Sequence, residues 1–216
     1  MDIEGTTALV TGANRGIGRH FAQQLLERGA AKVYAAARDP RTIDLDGVVP
    51  IALDITDPLQ VAAAAAQATD VRLLINNAGV STGTDLVTGD FERIRLELDT
   101  NLYGTLNMVR AFAPHVVAIL NVLSRLSWLS YQGANAYAVS KAAAWSLTNG
   151  IRLELPDTLV TGLFLSSTDT DMMAGWDIPK NDPADVVRQA LDGIEAGLTE
   201  VIADADTAAA KLQLSA

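Results

Sequence analysis

Residues Thr7 to Gly18, TALVTGANRGIG, place a short apolar run, a glycine-bearing turn and the start of an amphipathic helix in immediate succession. Few folds use that order. Glycines at 12, 16 and 18 let the backbone close on a ligand, and a helix running to about Arg28 points its free N–H groups at an anion. The spacing is G-x-x-x-G-x-G rather than G-x-G-x-x-G, and a glycine trio alone is compatible with a plain tight turn. Between a strand and a helix, a dinucleotide pyrophosphate is the better reading. Asn14, Arg15 and Ile17 lie inside the same turn.

The alternation continues, which predicts an α/β chain with a parallel sheet. Lys32 to Ala37 reads as a second strand ending in Arg38-Asp39, and Arg38 is 20 residues beyond Gly18. An acidic residue there would hold a ribose hydroxyl, whereas an arginine accepts a 2′-phosphate. With Arg15 as a second cation, NADP(H) is favoured over NAD(H). Asp39 keeps the other choice open, and solvated loop charge is the alternative for both arginines. Val49 to Leu53 is a third strand, followed by Asp54-Ile55 and by Asp57-Pro58, an N-cap and N1 proline opening a helix from Leu59 to about Ala68. Asp54 suits either a turn or an adenine-edge contact.

Val71 to Ile75 reads as a strand buried on both faces, and it delivers Asn77, Ala78 and Gly79 at its carboxyl end, where ligands sit in such sheets. Small residues there let a cofactor lie against the backbone. A long helix is expected from about Asp90 to Phe112, with Asn101 at mid-length and Gly104 close behind. Both are poor helix formers, which predicts either a kink presenting a carbonyl or water, or a packing role.

The candidate chemistry lies between Ser124 and Lys141, in SRLSWLSYQGANAYAVSK. Tyr137 and Lys141 are four apart, so a helix beginning near Ala134 puts them on one face, one turn apart. A fixed ammonium favours phenolate and would bring the phenol, ordinarily near pKa 10, toward the working range. Ser124 lies 13 residues before Tyr137 at the end of a strand, where its hydroxyl could hold a substrate oxygen. Y-x-x-x-K alone is common on helices; the upstream motifs give it weight.

Composition excludes several other functions. The chain has 216 residues, 49% hydrophobic and 19% charged, with no linker-like stretch, which predicts one domain over 1–216. A net charge of −10 argues against general binding to nucleic acid or anionic membranes. No cysteine is present, and His20 and His115 are too far apart in sequence to suggest a ligand pair, so no metal is expected. The opening lacks a basic and apolar leader and no apolar run approaches about 18 residues, so a cytoplasmic, non-membrane protein is expected.

Taken together, TGANRGIG at 11–18, NNAG at 76–79, Thr100-Asn101, a serine 13 before the tyrosine and YAVSK at 137–141 resemble the short-chain dehydrogenase/reductase family, classical type, over nearly the whole chain. The resemblance implies a single Rossmann-like doubly wound parallel sheet of order 3-2-1-4-5-6-7. It implies a catalytic tetrad of Asn101, Ser124, Tyr137 and Lys141. In that scheme Tyr137 is the general acid or base, Lys141 lowers its pKa and holds the nicotinamide ribose, Ser124 binds the carbonyl oxygen and Asn101 anchors a water. The cofactor contacts it implies are Gly12, Asn14, Arg15, Gly16, Ile17, Gly18, Arg38, Asp54, Ile55, Asn77, Ala78, Gly79, Tyr137 and Lys141, with Thr170 binding the carboxamide. Homodimers or homotetramers through the central helices are usual, and Trp145, on the face of Tyr137 and Lys141, suits either the core or such a contact.

The chain departs from this pattern twice. The Pro-Gly pair usual after the sixth strand, here Val160 to Leu165, is replaced by Ser166-Ser167-Thr168-Asp169-Thr170, which puts the loop shape in question. Pro114 to Val117 leave little room before the strand Ala118 to Val122, so a strained connection could loosen the Ser124 strand. Met172, Met173, Trp176 and Trp128 are candidates for an apolar substrate pocket, short enough for a small or open-ended substrate. A helix from Pro183 to about Ala196, a strand from Thr199 to Ala203 and a terminal helix or frayed end from Asp206 to Ala216 complete the reading. The function expected is NADP(H)-dependent interconversion of a ketone or aldehyde with an alcohol. The alternatives are a non-catalytic NADP(H)-binding sensor or scaffold, and an epimerase or dehydratase on the same scaffold.

Overall fold

The computed structural model describes residues 1–214. Seven strands form one parallel sheet in the order β3-β2-β1-β4-β5-β6-β7. They are β1 (Thr7–Thr11), β2 (Lys32–Ala37), β3 (Val49–Ala52), β4 (Leu73–Asn76), β5 (Ala118–Val122), β6 (Leu159–Phe164) and β7 (Glu200–Ile202). The helices are α1 (Gly16–Glu27), α2 (Pro58–Gln67), α3 (Phe91–Leu98), α4 (Thr105–Phe112), α5 (Asn135–Glu154), α6 (Pro183–Glu195) and α7 (Ala205–Gln213). A π-helical turn, Asp99–Gly104, joins α3 to α4. No described helix is long and apolar enough to cross a membrane.

Alternate residues of the central strands feed two cores. Val10, Val33, Ile75 and Leu120 pack with Phe21 and Leu25 of α1 and Val187 and Leu191 of α6. Leu9, Tyr34, Leu74 and Ile119 face the other way, toward Val61 of α2, Met108 and Phe112 of α4, and Ile151 of α5. Burial on both faces is what lets the central strands be so uniformly apolar.

Helix starts follow the residues that predict them. Asp57 accepts from the N–H groups of Leu59 and Gln60 ahead of α2, and Asp182 from that of Ala184 ahead of α6, each followed by proline at the first helical position. The expected fourth strand begins later, at Leu73; Arg72 before it is exposed, and its guanidinium donates to the His115 carbonyl at 2.8 Å. The expected single helix over 90–112 is three segments. Its wide turn falls at Asn101, and a Cβ on Gly104 would lie 2.7 Å from Ile55, which accounts for both unfavourable residues.

The connection after α4 is tight, with the N–H groups of His115 and Val116 folding back onto the Phe112 carbonyl. It does not loosen the Ser124 strand. Leu123 and Arg125 donate to the carbonyls of Leu163 and Leu165 at 2.8 and 2.9 Å, on either side of Ser124. The terminal helix forms as α7, and Ser215 and Ala216 lie outside the described residues.

Candidate active site

The glycine turn is closed by its neighbours. Gly12 and Gly16 have φ of 65° and 52°, which side chains rarely adopt, and a Cβ on Gly18 would lie 2.1 Å from the Gly12 carbonyl oxygen. Asn77 holds the turn from the side, donating through Nδ2 to the carbonyls of Thr11 and Gly12 at 2.9 and 3.2 Å. Thr11 Oγ1 accepts from the N–H groups of Asn77 and Ala78, each at 3.0 Å. Thus 76–79 buttresses 11–18. The α1 helix begins at Gly16 without a side-chain cap, leaving its first N–H groups free for an anion; Asn14 and Ile17 line the same turn.

Two arginines border this turn. Arg15 Nη1 is 2.9 Å from Asp171 Oδ2, an exposed pair that links the turn to the segment after β6. Arg38 is exposed at the end of β2. Its neighbour Asp39 is engaged elsewhere, accepting Nε and Nη2 of Arg41 at 2.9 Å each, and these bonds hold its carboxyl below the usual range. Asp54 accepts the N–H and hydroxyl of Thr56 through one oxygen, the turn role, while Ile55 is buried and its carbonyl accepts Asn107 Nδ2.

Beside the glycine turn, the four expected catalytic residues converge. Asn101, in the π-turn, accepts the Val80 N–H at 2.9 Å and donates to the Val80 carbonyl at 2.9 Å and to Ser140 Oγ at 2.8 Å. A Cβ on Gly79 would lie 3.1 Å from Asn101 Oδ1 and 3.8 Å from Lys141 Nζ, so that glycine fits between them. Lys141 and Ser124 are buried, and Ser124 Oγ accepts the Leu126 N–H at 3.1 Å. Helix α5 is fixed to the sheet by a buried chain from Asn76 through Asn121 to Thr148, at 2.9 and 3.0 Å.

The net shift at Tyr137 runs opposite to the expected one: the Lys141 ammonium donates to the Val122 carbonyl at 2.8 Å and lies 5.6 Å from the tyrosine ring centroid, and burial dominates over it. Tyr137, half-buried at the mouth of the site, is held above the ordinary tyrosine value, first by the burial of its hydroxyl and then by the charge of Glu97, with the Ser124 hydroxyl acting in the opposite direction. Burial also lowers the Lys141 pKa, to about 8.

Glu97 was not among the residues singled out from the sequence. It stands one turn before Asn101, fully buried, and its Oε1 accepts both the N–H and the hydroxyl of Thr82. Spacing carried the signal, since Ile94, Glu97 and Asn101 share the inward face of a helix.

Asp204, also unforeseen, replaces the missing Pro-Gly as the brace of the loop after β6. It accepts from the Ser166 N–H at 2.8 Å, Asn181 Nδ2 at 3.2 Å and the N–H and hydroxyl of Thr207 at 2.9 Å each. Asn181 also bridges to Thr168. Thus supported, Thr170 reaches the glycine turn, its Cγ2 3.2 Å from where a Gly16 Cβ would be. Met172 and Trp176 are about half exposed beyond it. Trp128 is not part of a pocket: it stacks on Phe164 at 4.3 Å and meets Trp145 edge-on at 6.2 Å, which places Trp145 in the core too.

The family model described as short chain dehydrogenase matches residues 6–180. The chain belongs to that family. It is an NAD(P)-dependent oxidoreductase. A short chain dehydrogenase from Burkholderia cenocepacia, solved in complex with NADP, is 40% identical, with a TM-score of 0.96 over 100% of this chain and 95% of that one. The NADP-dependent 3-hydroxy acid dehydrogenase of Schizosaccharomyces pombe is 32% identical over 178 residues, 73% of this chain and 69% of the relative. The 3-oxoacyl-[acyl-carrier-protein] reductase of Vibrio cholerae is 30% identical over 175 residues, 74% and 72% of the two chains. Some structural neighbours of this dehydrogenase are instead complexes with NAD or NADH.

Two outcomes follow for this short-chain dehydrogenase. Gly18→Ala forces the turn apart, so the thermal stabilisation given by saturating NADPH should vanish while circular dichroism stays that of the parent. Asp204→Asn should lower the melting temperature at pH 7. Burial opposes the Asp204 charge, but its donors outweigh it and hold the carboxyl below the ordinary value. The parent's advantage should therefore be full above about pH 4 and shrink as pH falls through the lower folded value, read from melting curves of both proteins between pH 7 and 3.

Proposed function

We propose that this enzyme interconverts a ketone or aldehyde and an alcohol with NADP(H), using Tyr137 as general acid in reduction and general base in oxidation. The observation that carries this reading is the convergence of Tyr137, Ser124, Lys141 and Asn101 beside the glycine turn. The cradle fits a dinucleotide: Gly12, Gly16 and Gly18 leave room for a pyrophosphate against an uncapped helix start. When bound there, the nicotinamide supplies or accepts the hydride. Arg38 and Arg15 would hold a 2′-phosphate, with Asp39 withdrawn to Arg41; Asp54, Ile55 and Asn77 to Gly79 would flank the remainder, and Thr170 the carboxamide.

Ser124 donates to the substrate oxygen and so orients it toward Tyr137, which gives up or takes the proton. Lys141, with its pKa near 8, stays mostly charged at pH 7 and stabilises negative charge developing on that oxygen and phenol. Asn101 fixes Val80 and Ser140, and through them the distance between the loop and Tyr137. The exposed Phe91, Leu96, Tyr103, Val139 and Leu153 on α3, the π-turn and α5 support a homodimer or homotetramer through these helices. The domain spans 1–216, and its place is the cytoplasm.

Two relatives are named for 3-hydroxy acids and 3-oxoacyl chains, which makes ethyl acetoacetate the first carbonyl probe, followed by acetophenone and small aldehydes. Arg38→Ala should raise the dissociation constant for NADPH about tenfold and leave that for NADH nearly unchanged in fluorescence titrations at low salt, about 1.4 kcal/mol for one charge-assisted contact. Equal losses for both cofactors would remove the 2′-phosphate assignment. Tyr137→Phe should cut turnover by roughly 10²–10⁴ while the protein stays folded. Undiminished turnover would end the Tyr137 reading, and NADPH binding without turnover on any probe would favour a scaffold.

A further inference from the structure

Glu97 and Lys141 are the two charged side chains that are buried among the described residues, and both flank Tyr137. Lys141 is satisfied by the Val122 carbonyl. Glu97 is satisfied on one side only: Oε1 takes the Thr82 N–H and hydroxyl, while Oε2 is sealed from solvent without a partner. A buried carboxylate left half-bonded is costly, and such groups recur where they act on a neighbour.

The contacts of Glu97 lead to that neighbour. Thr82 Oγ1 donates to Glu97 at 2.6 Å and lies 2.8 Å from Thr84 Oγ1. The Thr84 carbonyl in turn accepts the N–H of Ala136, the residue before Tyr137, at 3.1 Å. From the other side, Asn101 donates to Ser140, whose hydroxyl donates to the Tyr137 carbonyl at 2.8 Å. Glu97 and Asn101, one helical turn apart, thus clamp Tyr137 through both ends of the 80–84 loop.

The groups facing the phenol are Glu97 from α3, Lys141 from α5 and the Ser124 hydroxyl beyond β5. The 80–84 loop brings no charge, and Asp85 just after it is turned to the Gly133 N–H at 3.0 Å.

We infer that Glu97 is a positioning residue for Tyr137: it fastens the 80–84 loop against α5 and sets a negative charge beside the phenol. This rests on the proposed role of Tyr137. In reduction the carbonyl carbon gains the hydride of NADPH and its oxygen gains the Tyr137 proton; the phenolate left behind regains a proton from water. A nearby carboxylate disfavours that phenolate.

The experiment is an ultraviolet difference titration of phenolate from pH 7 to 11. Tyr137 is isolated by subtracting Tyr137→Phe from the parent, and Glu97→Gln/Tyr137→Phe from Glu97→Gln. Glutamine keeps an acceptor for Thr82 and removes the charge. The Tyr137 phenolate should appear in Glu97→Gln at a pH lower than in the parent by about one unit, a tenfold change in proton affinity. An identical response in the two backgrounds, including no phenolate in either, overturns the inference. Should Glu97→Gln not fold, Glu97→Met, which removes the charge at similar volume, takes its place in the same comparison, with the same two readings. Turnover by Tyr137→Phe equal to the parent would sink the general-acid role while leaving the titration difference intact, so the two readings fail separately.

Discussion

The carboxamide of Asn101 is the contact on which the site depends. It is almost fully buried, and its bonds to both polar groups of Val80 and to Ser140 tie together the loop after β4, the helical crossing and α5. A buried amide left unpaired would cost about 1–3 kcal/mol, so each partner is held where the amide needs it. Gly79 fits between this amide and Lys141 because a Cβ there would press on the amide oxygen at 3.1 Å. The loop after β4 and helix α5 are therefore set by one side chain from a third element.

Around that frame the charges are arranged in opposition. A buried ammonium and a buried carboxylate both neighbour one phenol, which is itself half-buried. Burial penalises the charged form of tyrosine and lysine alike, raising one and lowering the other. The chain's own groups thus favour the neutral tyrosine, the state that a reductive proton transfer starts from.

Much of this was legible in the sequence, for identifiable reasons. The glycine turn, the Asp-Pro helix starts and the order of strands rest on local chemistry that a short window carries. Tyr137, Lys141 and Ser124 were found because α5 keeps a regular period and β5 ends where its pattern ends. What escaped depends on contacts distant in sequence. Asp204 lies 38 residues from the Ser166 N–H it braces, so the lost Pro-Gly looked like damage when it is a substitution. The phenol's direction of shift escaped because a four-residue spacing gives proximity to Lys141 but not the burial of the hydroxyl or the charge of Glu97. Glu97 was passed over because charged residues on helices are usually solvated.

The wide turn at Asp99–Gly104 also makes the number of residues in this stretch a structural element in its own right. On a regular helix, Glu97, Asn101, Met108 and Phe112 would all point one way. Here the first two face the 80–84 loop and α5, while Met108 and Phe112 face the sheet. One extra residue in the turn supplies about 100° of rotation between those directions. Replacing Tyr103, exposed at its surface, leaves the residue count of the turn intact, whereas a deletion there would return the helix to regular pitch and turn its downstream half off the sheet.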